Sequence, residues 1–227
     1  MKVAHVVGAR PQFIKLAPVS AALEKRGVSQ IVVHTGQHFD NAMSSVFFEE
    51  LEMAVPQHNL GIHSLSHGAM TGRMLEALER VLKEESPDAT LVYGDTDSTL
   101  AGALAASKLG IYCAHVEAGL RSFNRAMPEE LNRVAADHLS DALLAPTETA
   151  MRNLAAEGLS SRSRLVGDVM YDALLRYSER AGKTDFVKRL GFKSGGFFLA
   201  TLHRAGATDD AQVLNGVLSA LEEISQT

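Results

Sequence analysis

The chain is 227 residues long, 46% hydrophobic and 22% charged, with a formal net charge of -5. That length holds one large domain or two small ones at about 100–200 residues each, and the composition is globular, which excludes a collagen, a disordered tail or a disulfide scaffold. Mild acidity argues against a partner such as nucleic acid, which calls for a basic patch.

Cys113 is the single cysteine. It has no intrachain partner for a disulfide and no companions for a multi-cysteine zinc site, so a reducing, cytoplasmic setting is expected. Within the apolar run from Ile111 to Val116 it reads as a small buried hydrophobe. The opening run Met1 to Val7 meets Gly8 too soon to be the core of a signal peptide. No apolar run approaches the ~20 residues that span a bilayer, so neither export by that route nor a membrane is expected.

In chain order, short apolar runs predict strands near 2–7, 30–34, 89–93, 111–116, 141–145, 163–167 and 196–201. Most are rich in Val, Ile and Leu on both faces, which suits a parallel sheet covered by helices on both sides. Helical spacing joins Phe13, Leu16, Ala17 and Ala21; then Met70, Met74, Leu78, Val81 and Leu82; then Leu214, Val217, Leu218 and Leu221. Ser66 and Thr147 stand at N-cap positions, and Pro128 suits a first helical turn. Strand and helix alternate, so the expected fold is α/β, a doubly wound parallel sheet with right-handed crossovers. Helix-like sequence at Val169 to Ala181 and Asp185 to Leu190 leads to Gly195-Gly196. The expected division is a domain over 1–168, linking helices over 169–195, and one strand and helix over 196–227, too small to bury a core alone.

Ligands of such sheets bind outside the carboxyl ends of the strands. Those ends carry Gly8-Ala9-Arg10-Pro11, Thr35-Gly36-Gln37-His38, Gly94-Asp95-Thr96-Asp97, Glu117-Ala118-Gly119, Pro146-Thr147 and Gly167-Asp168. The first turn lacks the glycine pattern of a dinucleotide site. It offers Arg10 and, about a helical turn further on, Lys15, a plausible cradle for a diphosphate at a helix N-terminus. Gly182-Lys183-Thr184 imitates the end of a P-loop, but Tyr177 stands where the leading glycine belongs. Asp95, Glu117 and Glu129 or Glu130 gather carboxylates at one edge. Glu129 and Glu130 sit in a first helical turn, where the helix dipole favours their charge. Glu117 ends a strand, where a carboxylate needs a partner or a ligand. His203 follows the run Phe197 to Thr201. No H-E-x-x-H or comparable zinc spacing appears, so no metal site is expected. A competing pattern pairs Asp95-Thr96-Asp97 with Gly167-Asp168 and Asp172 and with Thr147, resembling haloacid dehalogenase-like phosphatases. No lysine lies between Thr147 and Gly167 to balance a phosphate.

Taken as a set, GARPQFIK (Gly8 to Lys15), TGQHFD (Thr35 to Asp40), VYGDTDSTLAGALAASK (Val92 to Lys108), HVEAGLRSFN (His115 to Asn124), MPEELNR (Met127 to Arg133), Pro146-Thr147-Glu148 and TLHRAGATDD (Thr201 to Asp210) resemble the non-hydrolysing UDP-N-acetylglucosamine 2-epimerase family. The resemblance implies a GT-B architecture, two Rossmann-like domains around a nucleotide sugar, with only the start of the second present here. It implies an isomerase that eliminates UDP across C1 and C2 and adds it back after C2 is reprotonated, with no external cofactor. Asp95, Glu117 and Glu129 match the family's acid/base carboxylates, and His203 its histidine beside the departing diphosphate. Arg10 and Lys15 match basic residues near the substrate, with Arg133 a further candidate. Which carboxylate removes the proton is left open. A homodimer supplying precursors of cell-surface polysaccharide such as lipopolysaccharide is also implied.

The turn reads GARPQ where simple members read GTRPE, and Ser64-Leu65 stand where regulated members carry Arg-Gln for an activating nucleotide. These departures resemble the branch acting on UDP-2,3-diacetamido-2,3-dideoxy-glucuronate, and imply weak or absent activation. The family's second-domain uridine and diphosphate motifs are missing, so an inactive nucleotide-sugar-binding fragment is a further reading.

Overall fold

The structure, a computed structural model, describes residues 1–38, 45–193, 195–202 and 205–226. Strands β1 (Lys2–Val7), β2 (Ser29–His34), β3 (His58–Asn59), β4 (Ala89–Tyr93), β5 (Tyr112–Val116), β6 (Ala142–Ala145) and β7 (Ser163–Leu165) form one sheet in the order β3-β2-β1-β4-β5-β6-β7. Every pairing is parallel. The chain order reverses between β1 and β4, and the carboxyl ends at such a switch point are where sheets of this kind bind ligands.

Helices α1 (Arg10–Glu24), α2 (Ser45–Glu50), α3 (His67–Glu85), α4 (Asp97–Leu109), α5 (Pro128–Leu139), α6 (Glu148–Ala156) and α7 (Val169–Gly182) follow or link the strands. Side chains alternate across the sheet with period two. Ala4, Val6, Ile31, Val33 and Val92 pack against Met70, Met74, Leu78 and Leu82 of α3 and the alanines of α4. Val7, Val32, Tyr93 and Val116 meet Phe13 and Leu16 of α1 and Phe48 of α2 on the other side. Ala103, Ala105 and Ala106, all buried, let α4 lie close to the sheet. Gly102 has the same role, since a Cβ there would sit 2.9 Å from a methyl of Val92.

The described chain divides into two compact units, Met1–Tyr177 and Ser178–Thr227. The second contains α8 (Phe186–Arg189), α9 (Ala205–Thr208) and α10 (Ala211–Ser225), the last capped by Asp210 Oδ1, which accepts from the Gln212 and Val213 amides at 2.8 and 3.2 Å. The strand predicted at 196–201 does not form, and residues 197–202 carry no regular structure. A strand is stabilised by its neighbours, and the second unit offers no other strand among the described residues. The two-residue β3 escaped the sequence reading because it carries no apolar run. It is fixed from outside, where the Leu60 amide donates to the His34 carbonyl at 2.8 Å.

Two of the three buried histidines, His5 and His34, have lowered pKa values. His5 meets the Tyr93 hydroxyl at 2.7 Å and Gln30 Oε1 at 2.9 Å, and His34 Nδ1 accepts from the Gly36 amide at 2.8 Å. Burial lowers both to a pKa of about 4, far below an exposed imidazole. The folded pKa lies below the unfolded one, so the fold's full stability is present above about pH 6.5 and is lost as pH falls toward 4. By pH 5 the loss is roughly 1–2 kcal/mol per histidine. Urea midpoints at pH 7.5 and pH 5 measure this. The drop should shrink in His5→Gln, and an equal drop in that variant would contradict the assignment.

Candidate functional site

Site geometry begins at the turn after β1. A Cβ on Gly8 would lie 2.0 Å from Thr35 Oγ1 and 2.2 Å from Ser98 Oγ, so glycine is required for this turn to pack beneath β2 and α4. Gln12, fully buried on α1, stitches the turn to its neighbours. Its Oε1 accepts from the Gly8 and Ala9 amides at 2.7 and 3.0 Å, while its Nε2 donates to the Tyr93 carbonyl and Thr99 Oγ1 at 2.8 and 3.0 Å. Sequence reasoning passed over Gln12. The available signal was a glutamine in the first turn of a helix, placed to reach back to the amides before it.

Arg10 opens α1 and is exposed, and its amide donates to His38 Nδ1 at 3.0 Å. Burial, aided by the Arg10 charge, lowers the His38 pKa. One turn along, Lys15 is buried, and its Nζ lies 2.7 Å from Glu117 Oε1. The carboxylate that ends β5 therefore has its cation. A charged group this far from water needs an opposite charge close by, and each supplies it for the other. Glu117 has φ +73°, in the left-handed region. Gly94, at φ +63°, closes the other side, since a Cβ there would come 3.0 Å from Lys15 Nζ and 3.7 Å from Glu117 Oε1.

Asp95 follows Gly94 directly. Its Oδ2 pairs with Arg133 Nη2 of α5, and Arg133 Nη1 lies 3.4 Å from Glu130 Oε2. Asn132 Nδ2 donates to the Asp95 carbonyl at 3.1 Å and to Asp97 Oδ1 at 3.2 Å, and Asp97 Oδ2 lies 3.0 Å from His67 Nδ1.

The adjacent glutamates of α5 divide. Glu130 is buried and accepts from the Ser122 amide, the Ser122 hydroxyl and the Phe123 amide, each at 2.9 Å. Burial alone would raise its pKa, but these donors and Arg133 outweigh it and hold the carboxyl below the usual range. Glu129 is exposed and has no hydrogen-bond partner among the described residues. It stands four residues before Arg133, hence on the same face of α5. The structure thus joins Lys15 to Glu117 and Arg133 to Asp95, with Gly94 between the pairs. His203 lies outside the described residues, as do Phe39 and Asp40 of the TGQHFD motif.

Behind this edge, His115 Nδ1 lies 2.7 Å from Asp137 Oδ1 and His115 Nε2 2.6 Å from the Gly94 carbonyl oxygen. Asp137 Oδ2 accepts from the Gly119 amide at 3.0 Å and lies 2.8 Å from Arg121 Nη1, and Arg121 forms a two-pronged contact with Glu157 at 2.7 Å. Burial opposes ionisation of Asp137, but His115 and Arg121 prevail and lower its pKa. None of these four residues was singled out from sequence.

Asp168, part of the phosphatase-like pattern, accepts from the Met170 amide at 2.8 Å beside the start of α7. Asp97 is buried between Asn132 and His67. No group of three or more His, Cys, Asp or Glu side chains is placed to hold a metal ion among the described residues. No helix among them is long and apolar enough to cross a membrane.

A family model described as UDP-N-acetylglucosamine 2-epimerase matches residues 21–227. A Methanococcus maripaludis protein named UDP-N-acetylglucosamine 2-epimerase homolog is 52% identical over 228 residues, covering 100% of this chain and 64% of its own length. The UDP-2,3-diacetamido-2,3-dideoxy-D-glucuronate 2-epimerase of Pseudomonas aeruginosa is 52% identical over 229 residues, covering 99% of this chain and 63% of its own. Among solved structures, the Methanocaldococcus jannaschii UDP-GlcNAc 2-epimerase in complex with UDP-GlcNAc and UDP superposes with a TM-score of 0.91 at 45% identity, across 100% of this chain and 63% of that one. That likeness gives the seven-stranded parallel sheet the GT-B type of fold, and the chain spans under two thirds of the length of these relatives. The matched model and the shared sheet agree that this chain belongs to the UDP-N-acetylglucosamine 2-epimerase family.

Proposed function

We propose that the protein is a non-hydrolysing UDP-N-acetylglucosamine 2-epimerase, inverting C2 of a UDP-2-acetamido sugar. The observation that carries this reading is the pairing of Glu117 with Lys15 and of Asp95 with Arg133 at the carboxyl ends of the strands, the edge where such sheets bind ligands, in a chain whose fold matches that of a relative solved in complex with UDP-GlcNAc and UDP. In the elimination, a carboxylate takes the C2 proton, the C2–H electron pair forms the C1–C2 double bond, and the C1–O bond breaks with its electrons going to UDP. In the return step, C2 gains a proton on the opposite face and UDP adds back to C1. The sequence is redox-neutral and needs no external cofactor.

A positioned base is required because the C2 hydrogen is weakly acidic. Asp95, Glu117 and Glu129 are the candidate acid/base groups, and Arg133 and Lys15 hold the first two in place through their ion pairs. Arg10, exposed at the start of α1, and His203 are assigned to the diphosphate, whose departing charge calls for cations and donors. Residues 1–168 form the catalytic half, 169–195 the linking helices, and 196–227 the start of the nucleotide-binding half. Support for that last assignment is the family model, which runs through residue 227, and the greater length of the relatives. The reading extends to a cytoplasmic homodimer that supplies precursors of cell-surface polysaccharide.

A second reading, UDP-2,3-diacetamido-2,3-dideoxy-glucuronate as substrate, is favoured by one observation. The relative named for that sugar is 52% identical, level with the Methanococcus maripaludis relative named as a UDP-N-acetylglucosamine 2-epimerase homolog and above two archaeal relatives named for UDP-N-acetylglucosamine at 46% and 45%.

Incubation with each sugar in deuterated water, followed by NMR at C2, tests both readings. Deuterium should enter C2 and both epimers should appear. Glu117→Gln and Asp95→Asn should each slow exchange by about 100-fold or more, with circular dichroism confirming the fold. Exchange at the wild-type rate in both variants would remove these carboxylates from the chemistry. Binding of the sugar without exchange would favour the binding-fragment reading, and magnesium-dependent phosphate release from a simple ester would favour a phosphatase. Initial rates against substrate should be hyperbolic without a second nucleotide, because Ser64 and Leu65 carry neither the charge nor the amide of Arg-Gln. A sigmoidal curve straightened by added UDP-N-acetylglucosamine would count against this.

A further inference from the structure

His115 is the fourth residue of β5 and is fully buried. Its Nε2 faces the Gly94 carbonyl oxygen at 2.6 Å, and a carbonyl only accepts, so Nε2 carries hydrogen. Its Nδ1 faces Asp137 Oδ1 at 2.7 Å. Asp137 also takes the Gly119 amide and the Arg121 guanidinium on Oδ2, which is the environment of an ionised carboxylate. An ionised carboxylate accepts from Nδ1 as well. The ring that satisfies both contacts has hydrogen on both nitrogens and is cationic. Arg121 and Glu157 extend the local charges, with signs that alternate from His115 through Asp137 and Arg121 to Glu157, and His138 Nε2 lies 3.3 Å from Glu157 Oε2 at the far end.

This pair stands between the two turns of the site. The Gly94 amide donates to the Val116 carbonyl at 3.0 Å, and the Gly94 carbonyl accepts from His115, so β5 holds both polar groups of the residue before Asp95. Asp137 holds the Gly119 amide two residues after Glu117. We propose that His115, kept as an imidazolium by Asp137, is a positioning residue for the sugar site. It fixes the Gly94 carbonyl while Asp137 fixes the Gly119 amide, so that Asp95 and Glu117 leave their strands in one geometry. The link to catalysis rests on the epimerase reading, whereas the charge state and the positioning do not.

Three measurements on this chain test it. In the ¹⁵N-histidine NMR spectrum at pH 7, both ring nitrogens of His115 should be protonated, and a neutral ring would overturn the proposal without any variant having to fold. His115→Gln keeps a donor for the Gly94 carbonyl and His115→Phe does not. Amide resonances of Gly94, Asp95, Glu117 and Gly119 should move in the phenylalanine variant and move less in the glutamine variant. Equal displacement in both, or none, would overturn positioning. In C2 exchange, His115→Phe should lower kcat by about 10–100-fold with KM unchanged, and His115→Gln should recover part of the loss. A rise in KM alone would contradict the role. Absence of exchange in the wild-type chain counts against the epimerase reading only, and the ring and amide measurements still decide the positioning.

Discussion

Charge pairing at a poorly solvated sheet edge is the constraint on which the rest of this site depends. A carboxylate withdrawn from water without a cation or several donors is expensive enough to change its protonation state. At this edge Glu117 has Lys15, Asp95 has Arg133, and Asp137 has His115 and Arg121. Each pairing joins parts of the chain far apart in sequence: α1 to the end of β5, α5 to the end of β4, and β5 to α5. The ion pairs therefore tie together the elements that meet at the switch point of the sheet. Removing a cation leaves a buried anion, which costs more than the pair contributes as a whole.

Much of the architecture was legible in the sequence because parallel strands buried on both faces are written as apolar runs and helices as 3.6-residue spacing. The strands from Lys2 to Leu165 fall within two residues of their expected ends at the termini that differ most. The exceptions have physical causes. At β3 the pairing comes from β2 and not from its own side chains, and Phe197 to Thr201 has strand composition without a strand to pair with. Composition reports what a segment is able to do, and neighbours decide what it does.

At the site, residue type was readable but division of labour was not. Glu129 and Glu130 are equivalent by charge, by position after Pro128 and by their effect on the helix dipole. Only the path of residues 120–127 shows that Glu130 is consumed by the Ser122 and Phe123 donors while Glu129 stays exposed. Lys15 was read with Arg10 as a cradle for a diphosphate, and its ion pair was not legible because the partner stands 102 residues away. Gln12, His115 and Asp137 were silent for a related reason. Each acts on backbone groups of another segment, and nothing in the local sequence around a buried polar residue names the carbonyl or amide it will meet.

Glu117 shows how the same pairing sets the geometry. A non-glycine residue in the left-handed region carries strain of about 1–3 kcal/mol, and Glu117 sits there at φ +73°. The strain is held from both sides: the Glu117 and Ala118 amides both donate to the Leu144 carbonyl at 3.1 Å, while Lys15 holds the carboxylate. Relaxing the backbone would swing the side chain away from Lys15 and leave two buried charges apart. On the proposed epimerase reading, a base that has to address one face of a sugar carbon gains from such a fixed bearing, because an orientation lost before the reaction reappears in its barrier. The backbone strain and the ion pair are thus two halves of one device, each stable only in the presence of the other.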